Sequence, residues 1–114
     1  MTSPITTHIL DVARGRPASG VPIVLDVLDA SGAWREVGSG ATDDDGRLRT
    51  LLAPSALAQA AYRIRFDTGA YFKAHGTEGF YPEVSVVFVV RDATAHHHVP
   101  LLLSPYGYST YRGS

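Results

Sequence analysis

The chain has 114 residues, a length that suits one domain able to bury about 65% of its unfolded surface in a single core. Ten basic against eleven acidic side chains give a formal net charge of −1, which argues against a general binding surface for nucleic acid or for an anionic membrane. The absence of cysteine excludes disulfides and thiolate chemistry, and no apolar run approaches the ~20 residues of a membrane helix.

The first part of the chain predicts strands and turns without a targeting segment. MTSPITTHILD has no basic region followed by an apolar stretch, so we expect no signal peptide and a cytoplasmic protein whose single domain covers residues 1–114. His8 stands at the start of a strand in this segment. The next strand has a clear period of two, with apolar side chains at Val21, Ile23, Leu25 and Val27. A further strand is predicted at residues 34–42.

The middle of the chain predicts a turn, a strand and one helix. The adjacent carboxylates of residues 43–45 precede Gly46, and because neighbouring carboxylates point apart, we interpret them as turn residues and not as a calcium loop. Residues 62–66 alternate as a half-buried strand. Residues 68–75 then predict a short surface helix, with Thr68 as its N-cap and Gly76 as its end.

The last third of the chain predicts three strands, at residues 84–90, 98–103 and 107–111. The first of them is apolar on both faces, which favours burial against another subunit, although a locally thick core would explain the same pattern. Seven or eight short strands with frequent turns predict an all-β fold, a sandwich of two antiparallel sheets with one short surface helix.

Histidines are the first candidates for chemistry. His96 and His98 lie two apart in a predicted strand and therefore share a face, while His97 faces the other side. An ordinary pKa of ~6.5 suits histidine for general acid or base catalysis near neutral pH. Two alternatives remain open: each histidine is structural, or His8, His96 and His98 together bind zinc.

Two further features indicate recognition of a polar ligand. Arg47 follows the turn and is either a solvated loop charge or a clamp for a planar anionic or carbonyl-bearing ligand. The chain ends on an aromatic and charged group after a long apolar run, so we expect this end to be anchored in a specific place. Its residues are Tyr111, Arg112, Gly113 and Ser114.

Four segments of the chain resemble the transthyretin-related proteins that act as 5-hydroxyisourate hydrolases in urate breakdown. They are THILDVARGRPASGVPI, TDDDGR, the pair TGAYFKAHG and FYPEVSVVF, and HHHVPLLLSPYGYSTYRGS. The resemblance spans the whole chain, and YRGS is its most specific element. HHHVP departs from the more usual His-Tyr-His-Val-Pro at His97, which faces away from His98.

The resemblance implies a transthyretin-like fold and an active site at the interface between two dimers of a homotetramer. It implies no cofactor, and its substrate is a small purine-derived molecule, with no nucleic-acid or membrane partner. Carried over residue by residue, the implied site consists of His8, Arg47, His98, Tyr111, Arg112, Gly113 and Ser114.

The implied reaction is hydrolytic ring opening of 5-hydroxyisourate to 2-oxo-4-hydroxy-4-carboxy-5-ureidoimidazoline. We hypothesise that His98, with His8 as its partner, deprotonates a water and that Arg47 stabilises the oxyanion. Tyr111, Arg112 and Ser114 orient the ring in this hypothesis. The alternative is a transthyretin-like carrier that binds an aromatic molecule in a channel between subunits. That carrier has a lysine in place of His8, a glutamate in place of Arg47, and no YRGS segment, so the resemblance favours the hydrolase.

Overall fold

The alternation of apolar and polar residues produces two β-sheets that share one core. The structure is a computed structural model, and it describes residues 2–114. Within these residues the elements are β1 (Ile5–Asp11), β2 (Arg16–Pro17), β3 (Pro22–Leu28), β4 (Trp34–Ala41), β5 (Arg47–Leu48), β6 (Ala60–Phe66), α1 (Thr68–Ala74), β7 (Val84–Val90), β8 (His97–Ser104) and β9 (Gly107–Thr110). The predicted all-β sandwich with one short helix is confirmed.

The two sheets have the strand orders β2-β1-β8-β9, with β5 also paired to β1, and β4-β3-β6-β7. Every pairing is antiparallel except that of β1 with β8, which is parallel. The first sheet is therefore mixed, and the prediction of two wholly antiparallel sheets was wrong for this pair. A parallel neighbour needs a long crossover, and here most of the second sheet lies in the crossover between β1 and β8.

The core lies between the two sheets, so the side chains on the other face of each sheet point outward. Ile5 and Ile9 of β1 and Leu101 of β8 are fully buried in it. Each such side chain stabilises the fold by roughly 1.5–3 kcal/mol through burial. Because successive strand residues point to opposite faces, the alternate positions of β1 and β8 face away from the core. This outward face of the first sheet includes Thr6 and His98.

The N-cap of helix α1 lies one residue earlier than the sequence predicts. The carboxylate of Asp67 accepts a hydrogen bond of 3.0 Å from the Ala70 backbone N–H, so Asp67 is the N-cap. The predicted cap, Thr68, is fully buried, and its hydroxyl donates to the carbonyl of Tyr81 at 2.6 Å. Gly76 follows the helix with a φ of +64°, as its predicted role at the helix end requires.

Strand β7 forms one edge of the second sheet and has an apolar outer face, as the sequence predicts. Val84 and Val90 are buried, whereas Val87 is 57% exposed and Val89 is 49% exposed. An edge strand with exposed valines presents both unpaired backbone groups and apolar surface to a partner. No helix within residues 2–114 is long and apolar enough to cross a membrane.

Candidate active site

The predicted site residues meet on the outward face of the first sheet. His8 lies opposite Arg47 in the pairing of β1 with β5, and Thr6 lies opposite His98 in the pairing of β1 with β8. Gly113 continues this row, because it forms an antiparallel bridge with His98 and its N–H donates to the His98 carbonyl at 2.8 Å. Side chains that are distant in the chain thus lie side by side on a rigid sheet.

A cavity of about 230 Å³ opens on this face of the sheet. Its lining consists of Thr2, Thr6, Thr7, Arg47, Arg49, His96, His98 and Ser114. The lining side chains include two guanidinium groups and two imidazoles. The cavity therefore suits an anionic or carbonyl-rich ligand that accepts hydrogen bonds.

Arg47 owes its position to the turn of residues 43–46. The carboxylate of Asp43 accepts hydrogen bonds from the backbone N–H groups of Asp45, at 2.9 Å, and of Arg47, at 3.0 Å. Gly46 has a φ of +75°, a conformation that a side chain disfavours. The three aspartates are thus a turn, as predicted, and this turn delivers Arg47 to β5 beside His8.

His98 is held by Thr6, which the sequence analysis had not identified, and it lies close to His96. Its Nδ1 lies 2.8 Å from the hydroxyl of Thr6, and Nε2 of His96 lies 3.0 Å from the same hydroxyl. The rings of His96 and His98 are nearly parallel, with 16° between their planes, which confirms that they share a face. His97 is buried on the opposite side and donates from Nδ1 to the Ala95 carbonyl at 3.0 Å.

The structure does not bring all of the predicted site residues into one cavity, although His98 lines both of the cavities described here. Arg47, His98 and Ser114 line the cavity, and Gly113 is bonded to His98. His8 lies beside Arg47 without lining the cavity. Tyr111 and Arg112 instead line a neighbouring apolar cavity of about 220 Å³, which also contacts β7. In addition, Arg112 donates to the His96 carbonyl at 3.4 Å, which ties this segment to the start of β8.

Four lining residues were missed by the sequence analysis: Thr2, Thr6, Thr7 and Arg49. Thr6 shares the period-two face of His8, and Arg49 lies two residues beyond Arg47, so the alternation of side chains was the signal that could have found both. Thr2 carries no such signal, because it precedes the first strand.

The electrostatics of the site keep its two central histidines neutral. The pKa of His98 is below its ordinary value of 6.5, first because of burial and then because of the positive charge of Arg47 and the neighbouring His96 and His8. The pKa of His8 is also lowered, by burial and by Arg47, and a backbone hydrogen bond at Asp45 only partly offsets this. At pH 7 both imidazoles are therefore free to accept a proton.

A three-histidine zinc site is not formed. Among residues 2–114, no group of three histidine, aspartate or glutamate side chains is arranged to hold a metal ion. The hydroxyl of Thr6 lies between His96 and His98, and His8 faces Arg47 in the neighbouring strand pair. The zinc alternative therefore has no support in the geometry.

The chain is similar to known proteins in both sequence and structure. The model of the HIUase/Transthyretin family matches residues 5–113. A 5-hydroxyisourate hydrolase of Mus musculus is 48% identical over 114 residues, covering 99% of this chain and 97% of the mouse protein. A 5-hydroxyisourate hydrolase of Halalkalibacterium halodurans is 40% identical, with 100% of both chains covered. The crystal structure of sea bream transthyretin in complex with thyroxine matches with a TM-score of 0.92 at 32% identity, covering 96% of this chain and 94% of that one.

Proposed function

The chain belongs to the HIUase/transthyretin family, and we propose that it hydrolyses 5-hydroxyisourate in the cavity lined by Arg47, His98 and Ser114. The observation that carries this proposal is the convergence of these three residues, from β5, β8 and the YRGS segment, on one cavity. Relatives that are 40% and 48% identical over almost their whole length are 5-hydroxyisourate hydrolases, which supports the same reaction. The protein is therefore a hydrolase of urate degradation.

The reaction needs a base, an oxyanion partner and an orienting wall, and the cavity supplies each. Nε2 of neutral His98 takes a proton from water while the water oxygen bonds to an amide-like ring carbonyl. The guanidinium of Arg47 stabilises the oxyanion that develops, a contribution of about 3 kcal/mol for a well-placed donor. The carbon–nitrogen bond of the ring then breaks, and the nitrogen receives the proton from His98. The new carboxylic acid loses the second proton of the water to solvent and becomes a carboxylate.

The remaining predicted residues act around this centre. His8 lies next to Arg47 in the sheet, where its neutral imidazole can hydrogen-bond to the substrate. Ser114 closes one side of the cavity, and the Gly113 backbone holds Ser114 against His98. We assign Tyr111 and Arg112 to the outer rim, where Tyr111 is 57% exposed.

We further propose that the protein works as a homotetramer, a dimer of dimers in which a neighbouring subunit covers the open cavity. The exposed valines of β7 and the exposed Tyr108 of β9 lie on the edge strands of the two sheets, where a second copy can extend both sheets. A cavity that opens to solvent in one chain then becomes an enclosed site with a lower dielectric constant, in which Arg47 acts more strongly.

A thyroxine carrier is the competing function, since sea bream transthyretin shares the fold. Fold alone does not decide between an enzyme and a carrier. The cavity does, because its lining is polar and contains a neutral histidine beside an arginine, which suits hydrolysis of a carbonyl compound more than binding of a large aromatic hormone.

The direct test is the decay of freshly prepared 5-hydroxyisourate, followed by its ultraviolet absorbance. We expect the purified protein to accelerate the decay strongly over the spontaneous rate, and a metal chelator to leave the rate unchanged. A folded protein that left the spontaneous rate unaltered would show that the proposal is wrong, and thyroxine binding by that protein would then favour the carrier.

Gly113→Ala is expected to lower kcat/KM by about 10- to 100-fold, because small displacements of catalytic groups have effects of this size. A Cβ at position 113 would lie 2.6 Å from Cδ2 of His98, so either the ring or the YRGS segment must move. Gly107→Ala is the matched control, since the nearest atom to its Cβ, Oγ of Ser104, is 3.8 Å away. Equal rates for the two variants would show that Gly113 does not position His98.

A further inference from the structure

The hydroxyl of Thr6 lies between two imidazoles and is within hydrogen-bond distance of both. Its oxygen is 2.8 Å from Nδ1 of His98 and 3.0 Å from Nε2 of His96. Thr6 is only 5% exposed, and it lies in β1 directly opposite His98, so the sheet holds the hydroxyl in place. His96, by contrast, is exposed and lies just before β8. All three side chains line the cavity, and together they connect His98 to the more exposed His96.

A hydroxyl has a single hydrogen, and this couples the protonation of the two rings. If Thr6 accepts from Nδ1–H of His98, its own hydrogen points to Nε2 of His96, which must then be bare. If Thr6 donates to His98 instead, Nε2 of His96 must carry the proton. The two neutral histidines therefore change tautomer together. Only the first arrangement leaves Nε2 of His98 bare and able to act as a base.

We propose that Thr6 is a positioning residue that selects the basic tautomer of His98 and connects His98 to His96 as a proton relay. This proposal rests on the proposed hydrolase function. In the resting state His98 is protonated at Nδ1, Thr6 donates to His96, and His96 is protonated at Nδ1. His98 is then the catalytic residue, and His96 acts on it through Thr6.

The relay balances protons through one turnover. When Nε2 of His98 takes a proton from water, the Nδ1 proton of His98 moves to the oxygen of Thr6 as the Thr6 hydrogen moves to Nε2 of His96. His98 is now neutral and protonated at Nε2, and His96 is the cation. As the ring carbon–nitrogen bond breaks, the relay runs backward: Nδ1 of His98 regains a proton from Thr6, and Thr6 regains one from His96, while the Nε2 proton of His98 passes to the leaving nitrogen. This concerted transfer restores the resting state.

The charges around the relay support this sharing of one extra proton. The cation of Arg47 and the imidazole of His96 both disfavour a charge on His98, and burial does so most strongly. His96 is more exposed than His98, so water solvates a positive charge on its ring better. Moving the extra proton from His98 to His96 thus takes the charge from a half-buried ring to a more exposed one.

The experiment compares Thr6→Val, Thr6→Ser and His96→Ala with the wild type. Thr6→Val keeps the shape of the side chain but removes the hydroxyl, and we expect kcat to fall at least tenfold with KM within twofold of wild type. Thr6→Ser should recover most of kcat. In a His96→Ala background, Thr6→Val should add little further loss, because both changes break one relay.

Thr42→Val is the matched control for loss of a buried hydroxyl with two partners. The hydroxyl of Thr42 donates to the Ala18 carbonyl at 2.7 Å and accepts from the Val21 N–H at 2.9 Å, outside the cavity. This variant should lose stability while keeping the wild-type kcat. A Thr6→Val protein that is active within twofold of wild type would overturn the proposal.

Nitrogen NMR of the imidazoles tests the relay without any turnover. In the wild type, His98 and His96 should both carry their proton on Nδ1, and in Thr6→Val the preference of His98 should change toward Nε2–H. A wild-type His98 protonated at Nε2, or a preference unchanged in Thr6→Val, would overturn the proposal. Because this readout needs no substrate, it separates failure of the relay from failure of the proposed hydrolysis, which the wild-type rate alone decides.

Discussion

His98→Ala should lower kcat for 5-hydroxyisourate by about 10²- to 10⁴-fold, the range expected when a general base is removed. The variant loses the ring nitrogen that takes the proton from water, while Arg47 and Ser114 still line the cavity. KM should therefore change much less than kcat. Steady-state rates at pH 7 to 8, with the fold checked by circular dichroism, measure the effect.

His75→Ala is the control for His98→Ala. His75 is an exposed histidine at the end of α1, with its Nδ1 2.8 Å from the Arg14 guanidinium and outside the cavity. The His75→Ala variant should retain the wild-type rate. If His98→Ala also kept the wild-type rate, the base would have to be another group, and His8 would become the first candidate.

Arg47→Gln should lower kcat by about 10²- to 10³-fold, as loss of one oxyanion donor does in other hydrolases. It should also change the pH profile, because the charge of Arg47 helps to hold the pKa of His98 below 6.5. His98 must be neutral to accept a proton, so activity falls as the pH drops through its pKa. Removing the positive charge raises that pKa, and the acidic limb of log kcat/KM should move to higher pH.

The control for this variant is Arg91→Gln, an exposed arginine outside the cavity. It should change neither the rate nor the acidic limb. An acidic limb that stayed in place or moved to lower pH in Arg47→Gln would mean that a group other than His98 controls the profile.

Local patterns in the sequence predict much of this fold and part of the site. Alternation placed the strands now seen as β3, β6 and β7 within a few residues, because an apolar face of period two is a local property. The same reasoning put His96 and His98 on one face and His97 on the other. Arg47 after its turn and the composition of the YRGS segment made these residues candidates, and the resemblance to a family then assigned them to one site with His8 and His98.

Long-range register could not be predicted in this way. Thr6 and His98 are 92 residues apart, and nothing near either of them indicates that β1 pairs with β8 in parallel. The two-residue strands β2 and β5 were also missed, since they form only because β1 is there to pair with them. For the same reason the catalytic candidates could be named from the sequence but Thr6 could not. Its hydroxyl gains a role only when the pairing of β1 with β8 places it beside His98.

The parallel pairing of β1 with β8 also sets when the site can form during folding. Joining these strands closes a loop of most of the chain, and such a closure has a higher entropic cost than the shorter-range strand pairings of the second sheet. His98 has neither Thr6 nor His8 beside it until that closure is complete. During refolding, recovery of hydrolase activity therefore reports that β1 has paired with β8. A chain in which only the shorter-range strand pairings have formed has no activity.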